Sequence, residues 1–261
     1  VTGVQYAWQD TAKTKADYVY YANNLSQAYP SDTVSYYARS FLTVYTGDET
    51  FPMLLFVFDR VDATSASFRK TFLLQCSNSP TISGNTVTVN NGSGKGKLVL
   101  TSLKGGDTIK SYGGSNKYYL PDVGKILSPA ASSRTDSMWG RVEISPKTGN
   151  KSDLMLNVLY VTDSATTKKI TPTLLESGDF IGAVAADRVA YFCTLKSYAS
   201  SAVTLKAAGT GDVTYYVGGL AAGTWTVTAG NKTQTVTVTG EGHMATFTYN
   251  GTGDITLTPA K

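Results

Sequence analysis

Apolar and polar positions alternate in short runs along most of this chain, with a repeat of two rather than 3.6. In TVSYYARSFLTVY (33–45), Tyr37, Arg39, Phe41 and Thr43 fall on one face and Tyr36, Ala38, Leu42 and Val44 on the other. PMLLFVFDRV (52–61) is almost continuously apolar, as expected of a strand covered on both faces. SFRKTFLLQC follows after a small polar turn at Asp62-Ala63-Thr64-Ser65, which predicts a hairpin. TISGNTVTVNNGSGKGKLVLTSL (81–103) predicts two more strands around Asn90-Asn91-Gly92-Ser93-Gly94.

The same pattern continues in RVEISP (141–146), LMLNVLYVTD (154–163), DFIGAVAADRVAYFCTL (179–195) and TYYVGGL (214–220). GTWTVTAGNKTQTVTVTG (223–240) reads as a hairpin turning at Ala229-Gly230-Asn231-Lys232. Only two short segments, Ala12–Tyr18 and Ile170–Glu176, are compatible with a helix. Closely spaced strands with turn signals between them predict an all-β chain: a large antiparallel β-sandwich, supersandwich-like, followed by a small C-terminal β unit. The small, polar stretch 196–213 places the division so that 1–198 form the large sandwich and 199–261 the terminal unit.

Composition agrees with that class. At 261 residues the chain is long enough to bury a sizeable core. Charged residues make up only 16%, well under the usual quarter, and Thr, Ser, Gly and Tyr fill the gap. The net charge of +4 is scattered, with no basic block among aromatics, which argues against nucleic acid as a partner. No run approaches the roughly 20 apolar residues that span a bilayer, so no membrane partner is expected. Cys76 and Cys193 lie in apolar, strand-like surroundings and read as buried free thiols.

Catalytic groups are sparse. The single histidine, His243, sits in GEGHMATF, in a turn of the last predicted hairpin, and no GxSxG elbow accompanies it. No cluster has the spacing of metal ligands, and neither GKGKL (94–98) nor SYGGSN (111–116) links a strand to a helix N-terminus, so no metal or cofactor is expected. Tyrosine is abundant, with 17 residues, and tyrosine faces stack on sugars while its hydroxyl can serve as a base. Asp59-Arg60 ends the most apolar run. It reads as a structural latch in which Asp59 accepts turn amides and Arg60 lies along a neighbouring strand.

Several stretches then occur in a telling order: YVYYANNLSQAY, SYYARSF, LLFVFDRV with SFRKTFLLQ, GKGKLVLTSL, SYGGSNKYYL, MWGRVEISP, LMLNVLYVTD and GLAAGTWTVT. This succession, from about residue 15 to the end, resembles the C-terminal β region of heparinase II/III-like polysaccharide lyases. The resemblance implies a bacterial, secreted, periplasmic or cell-surface protein whose α/α toroid carries most of the catalytic groups for β-elimination on uronic-acid glycans. It further implies that this β region is non-catalytic in isolation, packs on that toroid and lines a cleft for an acidic polysaccharide. An early His-x-Asp-x-Gly-x-Phe segment of the family is not found here. Gln75 and Asn157 stand where relatives often carry His, and Asn24 where Asp is usual. Candidate glycan-binding residues are Tyr37, Arg39, Tyr112 and Trp139. Two alternatives remain beside this reading: an autonomous carbohydrate-binding or cell-surface β module, and a small intact lyase using Tyr beside an Arg or Lys.

Overall fold

The computed structural model describes residues 3–5, 16–92, 94–126 and 138–260, with side chains from residue 16 onward except that of Thr210. Among these residues four β-sheets stack face to face, and the helical content is limited to two single 3-10 turns, Ser26–Ala28 and Gly114–Asn116. Among the described residues no helix is long and apolar enough to cross a membrane.

The second layer organises the stack. It is an eight-stranded antiparallel sheet with Met53–Ala63 and Ser152–Asp163 side by side at its centre. Val34–Tyr45, Tyr18–Asn24 and Gly3–Gln5 extend it to one side, and Gly96–Lys104, Thr86–Asn90 and Thr81–Ser83 to the other. A three-stranded sheet of Phe72–Cys76, Gly140–Ser145 and Thr108–Gly113 covers one face. The core between them includes Val57, Val61, Phe72, Leu100, Val142, Ile144 and Met155.

A five-stranded sheet covers the other face. Its strands are Thr173–Ser177, Phe180–Ala185, Arg188–Cys193, Gly209–Gly218 and Met244–Gly251 in that order, antiparallel except for the parallel pair Arg188–Cys193 and Gly209–Gly218. Tyr20, Leu42, Leu54, Phe56 and Phe58 meet Ile181, Phe192, Tyr216 and Met244 across this second core. Beyond lies a four-stranded sheet of Val203–Lys206, Asp254–Pro259, Gly223–Ala229 and Lys232–Val238, whose Trp225, Val227, Leu205 and Leu257 pack on Tyr191, Tyr215 and Phe247. The five-stranded sheet is therefore also buried on both faces. It takes strands from either side of residue 198, so backbone hydrogen bonds join the sequence segments flanking that position.

Local chemistry accounts for the turns. Gly223–Ala229 and Lys232–Val238 pair as far as Ala229 opposite Lys232, leaving Gly230 and Asn231 as a two-residue loop, with Gly230 at φ +56°. Such primed turns match the twist of the flanking strands. The 81–103 region holds three strands rather than two, because Gly84 at φ +57° turns Thr81–Ser83 back on Thr86–Asn90.

Three sequence expectations need correction. Met53–Ala63 and Phe72–Cys76 do not form a hairpin: the chain leaves the eight-stranded sheet at Ala63 and enters the three-stranded one at Phe72. Both runs are apolar, and periodicity cannot distinguish a partner in the same sheet from one in the facing layer. The 170–176 segment is not helical, since Thr173–Ser177 pairs with Phe180–Ala185; the β-branched residues at 171 and 173 outweigh the leucines. Of the other helix-compatible segment, 12–15 lie outside the described residues and Tyr18 opens a strand. The turn bearing His243 connects the four-stranded to the five-stranded sheet rather than two strands of one hairpin.

Phe58 and Phe192 stack at 5.4 Å across the second core, and both are almost fully buried. Phe58→Ala is expected to lower unfolding free energy by about 3–5 kcal/mol in urea titration, through lost transfer energy and a cavity between two covered sheets. A loss below about 1 kcal/mol would mean that this aromatic pair does not hold the layers together.

Candidate functional site

Asp59 sits within the central strand, not at its solvent end, and is 0% exposed. It accepts no turn amide. Register places it opposite Arg39, whose Nε donates to Oδ1 at 2.5 Å and whose Nη2 donates to Oδ2 at 2.8 Å. The Tyr37 hydroxyl adds a third bond to Oδ1 at 3.1 Å. Burial pushes the Asp59 carboxyl up, while the Arg39 and then the Tyr37 bonds pull it back. Burial and the adjacent Asp59 charge push the Tyr37 hydroxyl up as well. Arg39 also lies 5.2 Å over the Phe72 ring, tying the facing sheet to the cluster.

Arg60, one residue on, points to the opposite face because strand side chains alternate. Asp59 and Arg60 therefore serve different layers and do not pair. Arg60 lies 5.4 Å over the Tyr36 ring, and its Nη1 is buried without a hydrogen-bond partner.

Tyr112 lies in the three-stranded sheet, and Trp139 immediately precedes its strand Gly140–Ser145. Tyr112 is opposite Arg141, whose guanidinium lies 5.1 Å from its ring, and a Cβ on Gly113 would collide with the Trp139 indole. Arg141 donates to the carbonyls of Lys117 (2.8 Å) and Tyr119 (2.6 Å) and, through Nε, to Glu143 at 2.7 Å. Arg69 completes a clasp by donating to Glu143 at 2.7 Å and to both Asp122 oxygens at 2.6 and 2.8 Å. The segment around 117–122 is thereby strapped over the outer face of the sheet. Tyr37 and Arg39 converge on one carboxylate, whereas Tyr112 and Trp139 lie elsewhere, so the four candidates do not form one site.

Gln75, Asn157 and Asn24 are also separate. Gln75 is exposed opposite Arg141, while Asn157 is fully buried opposite Ser102, where both its amide atoms and the Ser102 hydroxyl lack partners. Asn24 lies in a third place, at the end of the second core. Cys76 and Cys193 are free, buried thiols. Among the described residues no three His, Cys, Asp or Glu side chains gather as metal ligands.

That third place is a cleft. Tyr20 and Phe192, at one end of the core between the eight- and five-stranded sheets, line a cavity of about 640 Å³. The eight-stranded sheet contributes Asn23, Asn24, Tyr36 and Arg60; the opposite wall contributes Lys196, Tyr198, Glu241 and His243. Tyr198 and His243 stack at 3.6 Å with their planes 7° apart, and His243 Nδ1 lies 2.9 Å from the Leu220 carbonyl oxygen. Lys196 bonds Asp62 at 2.6 Å and lies 4.9 Å from the ring centroid of Tyr36, the residue opposite Asp62 in the sheet. Deeper in, burial pushes the Tyr20 hydroxyl up to about 12, against a Ser40 hydrogen bond that lowers it. Alternation in SYYARS placed Tyr36 and Tyr37 on opposite faces, but nothing in the sequence brought Tyr198 or His243 to Arg60.

The fold so described is a layered, antiparallel β-sandwich with a smaller C-terminal sandwich built onto it. Residues 174–259 match the family described as heparinase II C-terminal domain. That segment comprises nearly all of the five- and four-stranded sheets, and over it the resemblance read from the sequence holds. Solved structures similar to the chain include a mutant of the heparan sulfate lyase HepC from Pedobacter heparinus, at 15% identity and a TM-score of 0.42 over 72% of this chain. A heparinase III is similar at 14% identity and a TM-score of 0.44 over 95% of this chain. The chain spans 27% of the length of each. No curated protein matches the sequence.

Two outcomes follow from these clusters. Asp59→Ala leaves Arg39 partly buried without its acceptor and is expected to cost about 3–5 kcal/mol in chemical denaturation, whereas Asp59→Leu with Arg39→Met recovers most of that loss. A double variant no better than the single one would mean that the ion pair stabilises beyond its own geometry.

Arg69 holds the exposed Asp122 carboxyl below its ordinary value of 3.8. A folded-state value below the unfolded one makes the clasp complete above that value and lost as pH falls through the depressed one. The 117–122 strap is thus expected to loosen only below pH 3.8 in an NMR titration, and Asp122→Asn to loosen it at neutral pH. Unchanged strap resonances in Asp122→Asn would show that Arg141 holds it unaided.

Proposed function

We propose that this chain is a non-catalytic β region of a heparinase II/III-like polysaccharide lyase, which packs on an α/α toroid and lines a cleft for an acidic glycan. The match of residues 174–259 to the heparinase II C-terminal domain carries this reading. The arrangement of candidate groups supports it. Arg39 and Tyr37 are committed to Asp59, and Arg141 is committed to a strap and to Glu143. Burial pushes the Tyr20, Tyr37, Tyr191 and Tyr216 hydroxyls up, away from the acidity a proton-abstracting tyrosine needs. A bacterial, secreted or periplasmic setting belongs to the same proposal.

A second reading, an autonomous carbohydrate-binding module, is favoured by the cationic and aromatic lining of the cleft between the sheets. Absorbance of unsaturated uronate products separates accessory from enzymatic roles. With heparin, heparan sulfate, chondroitin and alginate, this chain is expected to give no turnover above the buffer rate. Sustained turnover by the chain alone would overturn the accessory reading.

A further inference from the structure

The cleft is lined by a cation one of whose nitrogens, Arg60 Nη1, finds no hydrogen-bond acceptor among the described residues. That Arg60 nitrogen is buried as well as unpartnered. The nearest carboxylate along the same strand face, Asp62, is bonded to Lys196. Leaving a guanidinium N–H desolvated and unpaired is unfavourable, so the position is suited to an acceptor brought from outside. The Arg60 guanidinium lies over the Tyr36 ring, and both side chains line the cavity.

We propose that this cleft binds a carboxylate-bearing sugar ring, with Arg60 as the anchor for the carboxylate. A planar fork of donors matches a carboxylate in two-point geometry. Tyr198, 44% exposed and backed by the His243 imidazole, supplies a rigid flat surface of the kind on which a pyranose face packs. Asn23 and Asn24 line the wall with amides for ring hydroxyls. The 640 Å³ volume lies within the range of about 300–1,000 Å³ that holds small ligands, enough for one or two sugar rings. Formal charge agrees: Arg60 and Lys196 line the cleft against the single carboxylate of Glu241. The choice of a uronate over other anions rests on the acidic-glycan reading above. The location, at the end of the core between the two sheets, comes from the geometry alone.

The test uses the whole chain with sodium glucuronate, glucose and sodium sulfate as separate probes, followed by NMR shift perturbation and calorimetry. Saturable glucuronate binding is expected, with shifts at Tyr36, Tyr198 and His243. Glucose and sulfate are expected to bind at least tenfold more weakly, since each lacks one half of the recognised group. Arg60→Gln is expected to weaken glucuronate binding by roughly tenfold or more, the loss of a charge-assisted bond. Tyr198→Ala, on an exposed loop, is expected to weaken it several-fold with the melting temperature unchanged, and so keeps the test valid should Arg60→Gln unfold. Absence of glucuronate binding, equal binding of glucose or sulfate, or full affinity in Tyr198→Ala would each overturn the proposal. Uronate product formation, measured separately, bears on the accessory reading and not on this one.

Discussion

The stack rests on the central strand pair Met53–Ala63 and Ser152–Asp163, which is covered by a sheet on each face. An antiparallel sheet with one wet face can send its polar residues to water; this one cannot. Every polar side chain in the middle of these strands must find a partner within the protein or remain unsatisfied. Asp59 meets the requirement with Arg39 and Tyr37, both carried by the neighbouring strand. Asn157 and Ser102 do not meet it with protein atoms, and a buried water is the ordinary remedy for such a pair.

The same constraint explains where function has room. Where two sheets are in full contact, residues such as Phe56, Phe58 and Ile144 fill the space between them. Polar lining becomes possible only where sheets diverge or end. The strand that places Asp59 in one core places Arg60 toward the mouth of the other, so one local sequence supplies both a structural pair and the charged floor of the cleft. Arg141 and Arg69, by contrast, are used up in clasping a loop over the outer sheet.

Alternation made most strands legible, and Gly-Asn made the 230–231 turn legible, because both signals are local and reflect strand geometry and glycine's access to positive φ. Layer assignment was not legible. The polar linker after Ala63 resembles a hairpin turn whether the next strand pairs beside it or crosses to the facing sheet. Thr171 and Thr173 resolved a helix-compatible pattern in favour of a strand only because Phe180–Ala185 offered an edge. Of the residues singled out for glycan contact, Tyr37 and Arg39 were rightly placed on one face, but Asp59, 20 residues from Arg39, determines what that face does.

By itself the sequence determined the all-β class, the strand faces, the tight turns and the resemblance that holds over the terminal 86-residue span from 174 to 259. These properties depend on near neighbours, at i+2 in a strand or across a two-residue loop. Tertiary structure alone decided which sheets face each other, that Asp59 and Arg60 act in different layers, and that Tyr198 and His243 stand across a cleft from Arg60. Only the packing of covered faces fixes those relations, and the cleft joins Arg60 to Tyr198 and His243, residues more than 100 positions away.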